Sequence, residues 1–165
     1  MPERRPVSEN LETMDTRSPQ QRRRIMQSVG TRDTGPEMAV RRLLFRAGFR
    51  FRVGVKSLPG TPDIVLSARR KILFVHGCFW HGHGCAKGKP PRSRPEYWLP
   101  KIAGNRERDA KNVLKLNQLG WDVMVVWQCE VSDPDGLLQR LTDFVCEPCS
   151  SQKNDRLSGR NDLAS

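Results

Sequence analysis

This chain has no long apolar run, and its acids are scarce beside its bases: 29 Lys and Arg face 18 Asp and Glu, a formal charge of +11. Without such a run there is no candidate transmembrane helix, and the charged N-terminus lacks the apolar stretch of a signal peptide. A cytoplasmic protein with no membrane partner is the expectation. Hydrophobic residues are only 36% of the 165, and the shortage is worst at the ends. Met1 to Gln21 is polar with scattered apolar residues, and Ser150 to Ser165 has no apolar periodicity. The expected organisation is a disordered tail over 1–18, one domain over 19–148 and a second disordered tail over 149–165. The chain has five cysteines. In a cytoplasmic protein these serve as metal ligands or buried thiols more readily than as a disulfide framework.

What is plentiful is positive charge. It runs through the central region at Arg22–Arg24, Arg41–Arg42, Arg69–Lys71, Lys87–Lys89, Arg92, Arg94, Arg106 and Arg108. Some basic residues on any small domain only keep it soluble. An excess this large favours an acidic partner, and nucleic acid fits it best.

The apolar pattern predicts an α/β fold. Ser18-Pro19 is a helix start, and that helix runs to about Val29. A second helix begins at Thr34-Gly-Pro-Glu37, continues through Val40, Leu43, Leu44 and Phe45, and stops near Gly48. Phe51–Val53 is a short extended piece. Asp63–Leu66 and Lys71–His76 read as a strand hairpin. From Gly77 to Pro95 there is no periodicity, and a loop that long within a domain is functional or disordered. A helix from about Asn105 to Leu119 follows, its apolar face marked by Val113, Leu114, Leu116 and Leu119. Trp121–Trp127 is a strand expected to be buried on both faces. A last helix starts at Asp133-Pro-Asp and carries Leu137, Leu138, Leu141 and Phe144. The result is a mixed central sheet flanked by helices.

All three histidines of the chain fall between positions 76 and 83. Cys78 and Cys85 flank the last two, giving Cys78-x4-His83-x-Cys85, and Cys129 follows the Trp121–Trp127 strand. Thiolate and imidazole are the ligands zinc prefers, and four of them close a tetrahedral, structural site. A loop with so little apolar content gains from a metal the core it lacks. Cys129 is the preferred fourth ligand because the end of a core strand holds it well. Cys146 and Cys149 form a C-x-x-C whose role stays open.

With His83 assigned to the metal, His76 and His81 remain for chemistry. Asp63 opens an apolar strand, a place where many nucleases hold magnesium. The second carboxylate and the lysine of the common nuclease pattern are missing on the following strand, where His76 stands instead. Glu37 lies in the first turn of its helix, where the helix dipole alone favours an acid. Phe79 and Trp80 sit between a cysteine and a histidine. They are either a small apolar plug or wedges that enter a base stack.

The chain resembles the very short patch repair (Vsr) endonucleases from about Arg22 to Cys129. The resemblance rests on Met26, Thr31-Arg-Asp-Thr34, Glu37, Leu58-Pro-Gly-x-Pro-Asp63, His76-Gly-Cys-Phe-Trp-His81, His83, Cys85, Trp98, Asn105-x-x-Arg108-Asp109, Leu119-Gly-Trp-x-Val and Val126-Trp127-x-Cys129. It implies a restriction-endonuclease-like fold. The implied activity is nicking of double-stranded DNA beside a T:G mismatch left by deamination of 5-methylcytosine. In the implied roles, Asp63 and the Val75 carbonyl hold magnesium, and Glu37 binds metal-bound water. His81 is the general base, oriented by Asp109, while His76 stabilises charge on the phosphate. Cys78, His83, Cys85 and Cys129 hold structural zinc. Phe79, Trp80 and Trp98 intercalate, and Met26 enters the minor groove. Trp121 and Trp127 belong to the strand pattern and are assigned to the core. Gly82 and Gly84 stand where relatives often have further histidines, and their presence suggests a more flexible loop. The resemblance also implies a monomer in a bacterial cytoplasm, associated with the nucleoid when bound to DNA. It links the protein to a cytosine-5 methyltransferase and leaves room for other mismatch-repair proteins. Two further readings stand beside it: a nuclease of restriction-type or general repair specificity, and a non-catalytic zinc-stabilised DNA-binding module.

Overall fold

The computed structural model describes Gln20 and residues 32–90 and 94–150. Apart from Gln20, the helix expected over 18–29, with Met26, lies outside these residues, as does nearly all of the two expected tails.

Helix α1 (Gly35–Arg46) starts after Thr34 with Pro36 in its first turn and is closed by the Ala47 and Phe49 amides, which donate to Leu43 and Leu44 carbonyls. Strand β1 (Ile64–Leu66) pairs antiparallel with β2 (Lys71–His76), Ile64 opposite Leu73 and Leu66 opposite Lys71. A single 3-10 turn, Ser67–Arg69, makes the hairpin. The chain then passes through the loop and helix α2 (Pro95–Gln118) before strand β3 (Asp122–Trp127), which lies parallel to β2. Helix α3 (Pro134–Cys146) follows, its N-terminus capped by the Asp133 carboxylate accepting from the Gly136 amide. The sheet order is β1-β2-β3, mixed as expected.

Strand alternation decides which helix covers which face. Ile64, Leu66, Leu73 and Val126 point to one side and pack with Val40 and Leu44 of α1 and Leu137, Leu141 and Val145 of α3. Val65, Ile72 and Phe74 point to the other side, where Leu116 of α2 meets them. At the N-terminal end of the parallel pair, Lys71 is buried with its Nζ 2.7 Å from the Asp122 carboxylate. Burial works against the Asp122 charge, but hydrogen bonds from Lys71 and Ser150 outweigh it and hold the carboxyl below its ordinary value.

The short extended piece expected at Phe51–Val53 meets the sheet at one point, where Arg52 makes one bridge to Val65 with both backbone hydrogen bonds. Four expectations are corrected. Strand β3 is half-buried rather than buried on both faces, with only Val126 fully covered, because it is an outer strand of the described sheet. Helix α2 begins at Pro95 instead of Asn105 and runs through Pro100 and Gly104. Pro100 cannot donate to the turn before it, but that segment is exposed and water can serve the freed carbonyl. Of the residues taken for its apolar face, Leu116 is buried and Val113 half-buried, whereas Leu114 and Leu119 are more than half exposed. Cys149, placed above at the start of the C-terminal tail, is buried with its Sγ 3.5 Å from the Gly120 carbonyl.

Candidate active site and metal centre

Parallel pairing puts the C-terminal ends of β2 and β3 side by side, with His76 opposite Trp127. The loop leaves from the first of these ends and returns across the second, which brings two donor groups together.

The first group is Cys78, His83, Cys85 and Cys129, whose ligand atoms all lie within 4.8 Å of one another. Cys129 Sγ is 3.4 Å from His83 Nδ1. Metal–sulfur bonds of about 2.3 Å at a tetrahedral zinc put sulfurs about 3.8 Å apart, so the set has the size and softness that zinc takes. Burial raises the Cys85 thiol, but hydrogen bonds with His83 and Cys78 overcome that and bring it down to about 6. Burial and its crowded sulfur neighbours push Cys129 up to about 11. A bound cation would favour the thiolate form of both. Cys146 is exposed, and Cys149 packs against Gly120, so neither joins the quartet.

The loop is packed tightly rather than loosened by its glycines. Gly82 has φ +63°, and a Cβ there would come within 2.8 Å of Ile102 on α2. Only Gly84 has open space around it.

The second group is His76, His81 and Asp109. His81 Nδ1 hydrogen-bonds the Asp109 carboxylate, and His76 Nδ1 lies 4.0 Å from the same oxygen. The two imidazoles are stacked, centroids 3.8 Å apart and planes inclined by 11°. A metal must lie in the plane of each imidazole that binds it. Nearly parallel rings aim their lone pairs side by side, so this trio suits proton transfer and phosphate contact better than ion binding. Burial, with the neighbouring His81, lowers the His76 pKa to about 4 and leaves it neutral at physiological pH.

Asp63 faces the same cleft, of about 610 Å³, with Glu37, Arg41, Lys56, His76, His81 and Asp109. Burial pushes its carboxyl up to about 6, and the charge of Glu37 adds to this against the Val75 amide, which donates to Asp63 Oδ2 at 2.7 Å. Crowded, desolvated carboxylates of this kind are oxygen donors suited to a hard divalent cation. The turn before Asp63 is built for close approach: Gly60 has φ +76°, and a Cβ there would meet Asn112 Nδ2 at 2.8 Å. Thr61 has φ 49°, an unusual conformation for a β-branched residue and one that tends to mark functional turns. Glu37 is buried. Its carboxylate accepts from the Asp33 amide at 3.0 Å and the Thr34 hydroxyl at 2.8 Å, and pairs with Arg41 at 3.1 Å.

Phe79, Trp80 and Trp98 form one edge-to-face cluster, with centroids 5.1 to 6.0 Å apart. Asn105 of α2 donates to the Trp80 carbonyl at 2.9 Å. Met26 lies outside the described residues.

Sequence reasoning missed three contributors. Arg41 could have been read from its i,i+4 spacing to Glu37. Asn105 gave no local signal beyond its place in the resembling motif. Trp127, assigned to the core, is half-buried and stacks on His83 at 4.3 Å while its edge meets His76 at 5.5 Å.

A mixed sheet carrying an acid at one strand start, stacked histidines at the next strand end and a thiol-rich quartet defines a small α/β nuclease. Residues 14–87 match the family described as DNA mismatch endonuclease Vsr. A type II nicking enzyme of Xanthomonas oryzae is 55% identical over 131 residues, covering 79% of this chain and 96% of its own. The DNA mismatch endonuclease Vsr of Escherichia coli is 42% identical over 137 residues, covering 79% of this chain and 88% of its own. A type II nicking enzyme of Neisseria meningitidis is 45% identical over 123 residues, covering 74% and 88%. The chain belongs to the Vsr family of DNA mismatch endonucleases.

Proposed function

We propose that the protein nicks one strand of duplex DNA 5′ to the mismatched T of a T:G pair arising from deamination of 5-methylcytosine, and so starts very short patch repair. The observation that carries the mechanism is His81, hydrogen-bonded to Asp109 and stacked on His76, facing the cleft that Asp63 enters.

His81 takes the proton from the attacking water at its Nε2, while Asp109 holds Nδ1 and steadies the imidazolium that forms. His76, neutral and largely buried, donates a hydrogen bond to the scissile phosphate. Asp63 and the Val75 carbonyl would hold magnesium, with Glu37 binding water in its shell. When bound, the ion supplies positive charge for the phosphate and the leaving oxygen. Cys78, His83, Cys85 and Cys129 would hold zinc, which keeps the loop in shape. Phe79, Trp80 and Trp98, with Met26, enter the base stack. A mismatched step costs less to unstack, and that difference favours the T:G site.

In this reading the domain over 19–148 works as a monomer in the bacterial cytoplasm, alongside a cytosine-5 methyltransferase and with room for other mismatch-repair proteins. No described helix is long and apolar enough to cross a membrane.

The test is magnesium-dependent cleavage of end-labelled duplexes, T:G-mismatched or fully paired. A nick only beside the mismatch supports the reading. Several relatives are named type II nicking enzymes, which favours a second reading with another nicking specificity. Equal cutting of both duplexes would establish that one. No cutting by metal-loaded protein would leave a DNA-binding module.

A further inference from the structure

We infer that Trp127 is a positioning residue, through which the Cys/His quartet fixes the angle and depth of the catalytic histidine pair. This inference rests on the proposed chemistry of His76 and His81.

Four observations carry it. The register of the parallel strands sets Trp127 beside His76. The indole face lies on the His83 imidazole, 4.3 Å between centroids and 15° between planes. Its edge meets the His76 ring at 5.5 Å and 75°. His76 in turn stacks on His81 at 3.8 Å, and His81 is held by Asp109. The rings thus form an unbroken packed row from a quartet member to the proposed base. The other ring neighbours of His76 are His81 and Phe74, the latter 5.8 Å away and tilted. Cys129 follows two residues after Trp127, so the quartet also pins the backbone that carries the indole.

An aromatic here does more than fill space. The flat indole fixes two imidazoles at once, one by its face and one by its edge, whereas an aliphatic side chain of similar volume sets neither angle. Removing it lets His76 tilt, and His81 loses the surface against which its ring is aligned with Asp109. An error of about 1 Å at a catalytic group lowers the chemical step by about 10²-fold without a matching loss of binding.

The experiment uses the full, zinc-loaded chain as wild type, Trp127→Leu and Trp127→Phe. Three quantities are measured on each: zinc per protein, the dissociation constant for mismatched duplex, and the single-turnover nicking rate at saturating DNA and magnesium. Trp127→Leu is expected to lose about 10–100-fold in rate, the range found for partners that orient ligands and catalytic groups, with zinc content and DNA affinity within about twofold of wild type. Trp127→Phe, which keeps an aromatic face of smaller reach, is expected to recover part of that rate. A Leu variant as fast as wild type overturns the inference, and so does a rate loss that tracks zinc loss in both variants. If the Leu variant does not fold, Trp127→Phe decides alone: a rate reduced by about three- to tenfold with zinc retained supports the role, and an unchanged rate overturns it. Failure of the underlying chemical reading is separate, since it shows as a wild-type protein that nicks nothing.

Discussion

Two donor groups share one loop, yet they differ in the direction their lone pairs take. In the quartet of Cys78, His83, Cys85 and Cys129, three sulfurs and one imidazole nitrogen lie within 4.8 Å of one another. In the trio of His76, His81 and Asp109, two imidazole nitrogens and a carboxylate oxygen come equally close, but the two rings lie flat on one another. Proximity alone would call both metal sites. Ring orientation separates a place suited to an ion from a place suited to a proton. Along the chain the two groups interleave at their start, His76, Cys78, His81 and His83, before Cys85 adds a second consecutive member to the quartet.

The sharpest way to break this division is to remove the acid that serves the cleft alone. Asp63→Ala should cut the nicking rate by about 10³-fold, a loss of roughly 4 kcal/mol in transition-state stabilisation. Mismatched DNA should still bind in a mobility-shift assay. Retained activity would take Asp63 out of the mechanism. Next comes the scaffold. Cys85→Ser should lower zinc per protein from about one toward zero and open the loop to protease, because binding energy at such a site is also folding energy. An unchanged zinc content would refute the ligand assignment. A smaller loss is expected from Asp109→Asn, which keeps the shape but removes the charge behind His81: a rate lower by about 10–100-fold, with zinc content and DNA affinity unchanged.

The smallest effect is in stability, measured as the melting temperature of zinc-loaded, magnesium-free protein. The Asp63 carboxyl is raised from 3.8 to about 6, so the folded state holds the extra proton and stability falls as pH climbs through that window. His76 is lowered from 6.5 to about 4, so the unfolded chain takes the proton first and stability falls as pH drops through nearly the same window. The two contributions oppose. The advantage of Asp63→Asn over wild type should therefore grow as pH rises from 4 to 6, and that of His76→Asn should grow as pH falls from 6.5 to 4. Each is on the order of 1–2 kcal/mol after solvent screening. Advantages that do not change with pH would show that neither group is shifted by its surroundings.

Much of this was legible in the sequence because the signals are local. The helix start at Thr34, the hairpin across Ser67–Arg70 and the quartet spacing each follow from a few adjacent residues. The fourth member of the quartet could be singled out because Cys129 lies two residues beyond the end of a strand. Other features depend on what lies across the fold. Helix α2 passes Pro100 and Gly104 because that stretch is exposed, a fact no residue type reveals. Leu114 reads as apolar face yet points to solvent, since α2 touches the sheet only along the line of Leu116. Trp127 reads as core because its strand is apolar, and its two imidazole contacts appear only once β2 and β3 are paired.

The parallel pairing has a consequence for how the gene can vary in length. Lys71 stands opposite Asp122 at one end of the two strands, and His76 stands opposite Trp127 at the other. The buried ion pair works as a zero mark, and equal spans on the two strands bring the histidine and the tryptophan level at the far end. Deleting or inserting a single codon in one strand alone would leave the zero mark in place and throw the far end out of step. Each side chain beyond the change would also turn to the opposite face. Compensated changes, one codon in each strand, would lengthen the sheet yet still reverse which face both ends present. Insertions and deletions should therefore be absent between Lys71 and His76 and between Asp122 and Trp127 in functional homologues, and should collect at the exposed Lys89–Pro90 step instead.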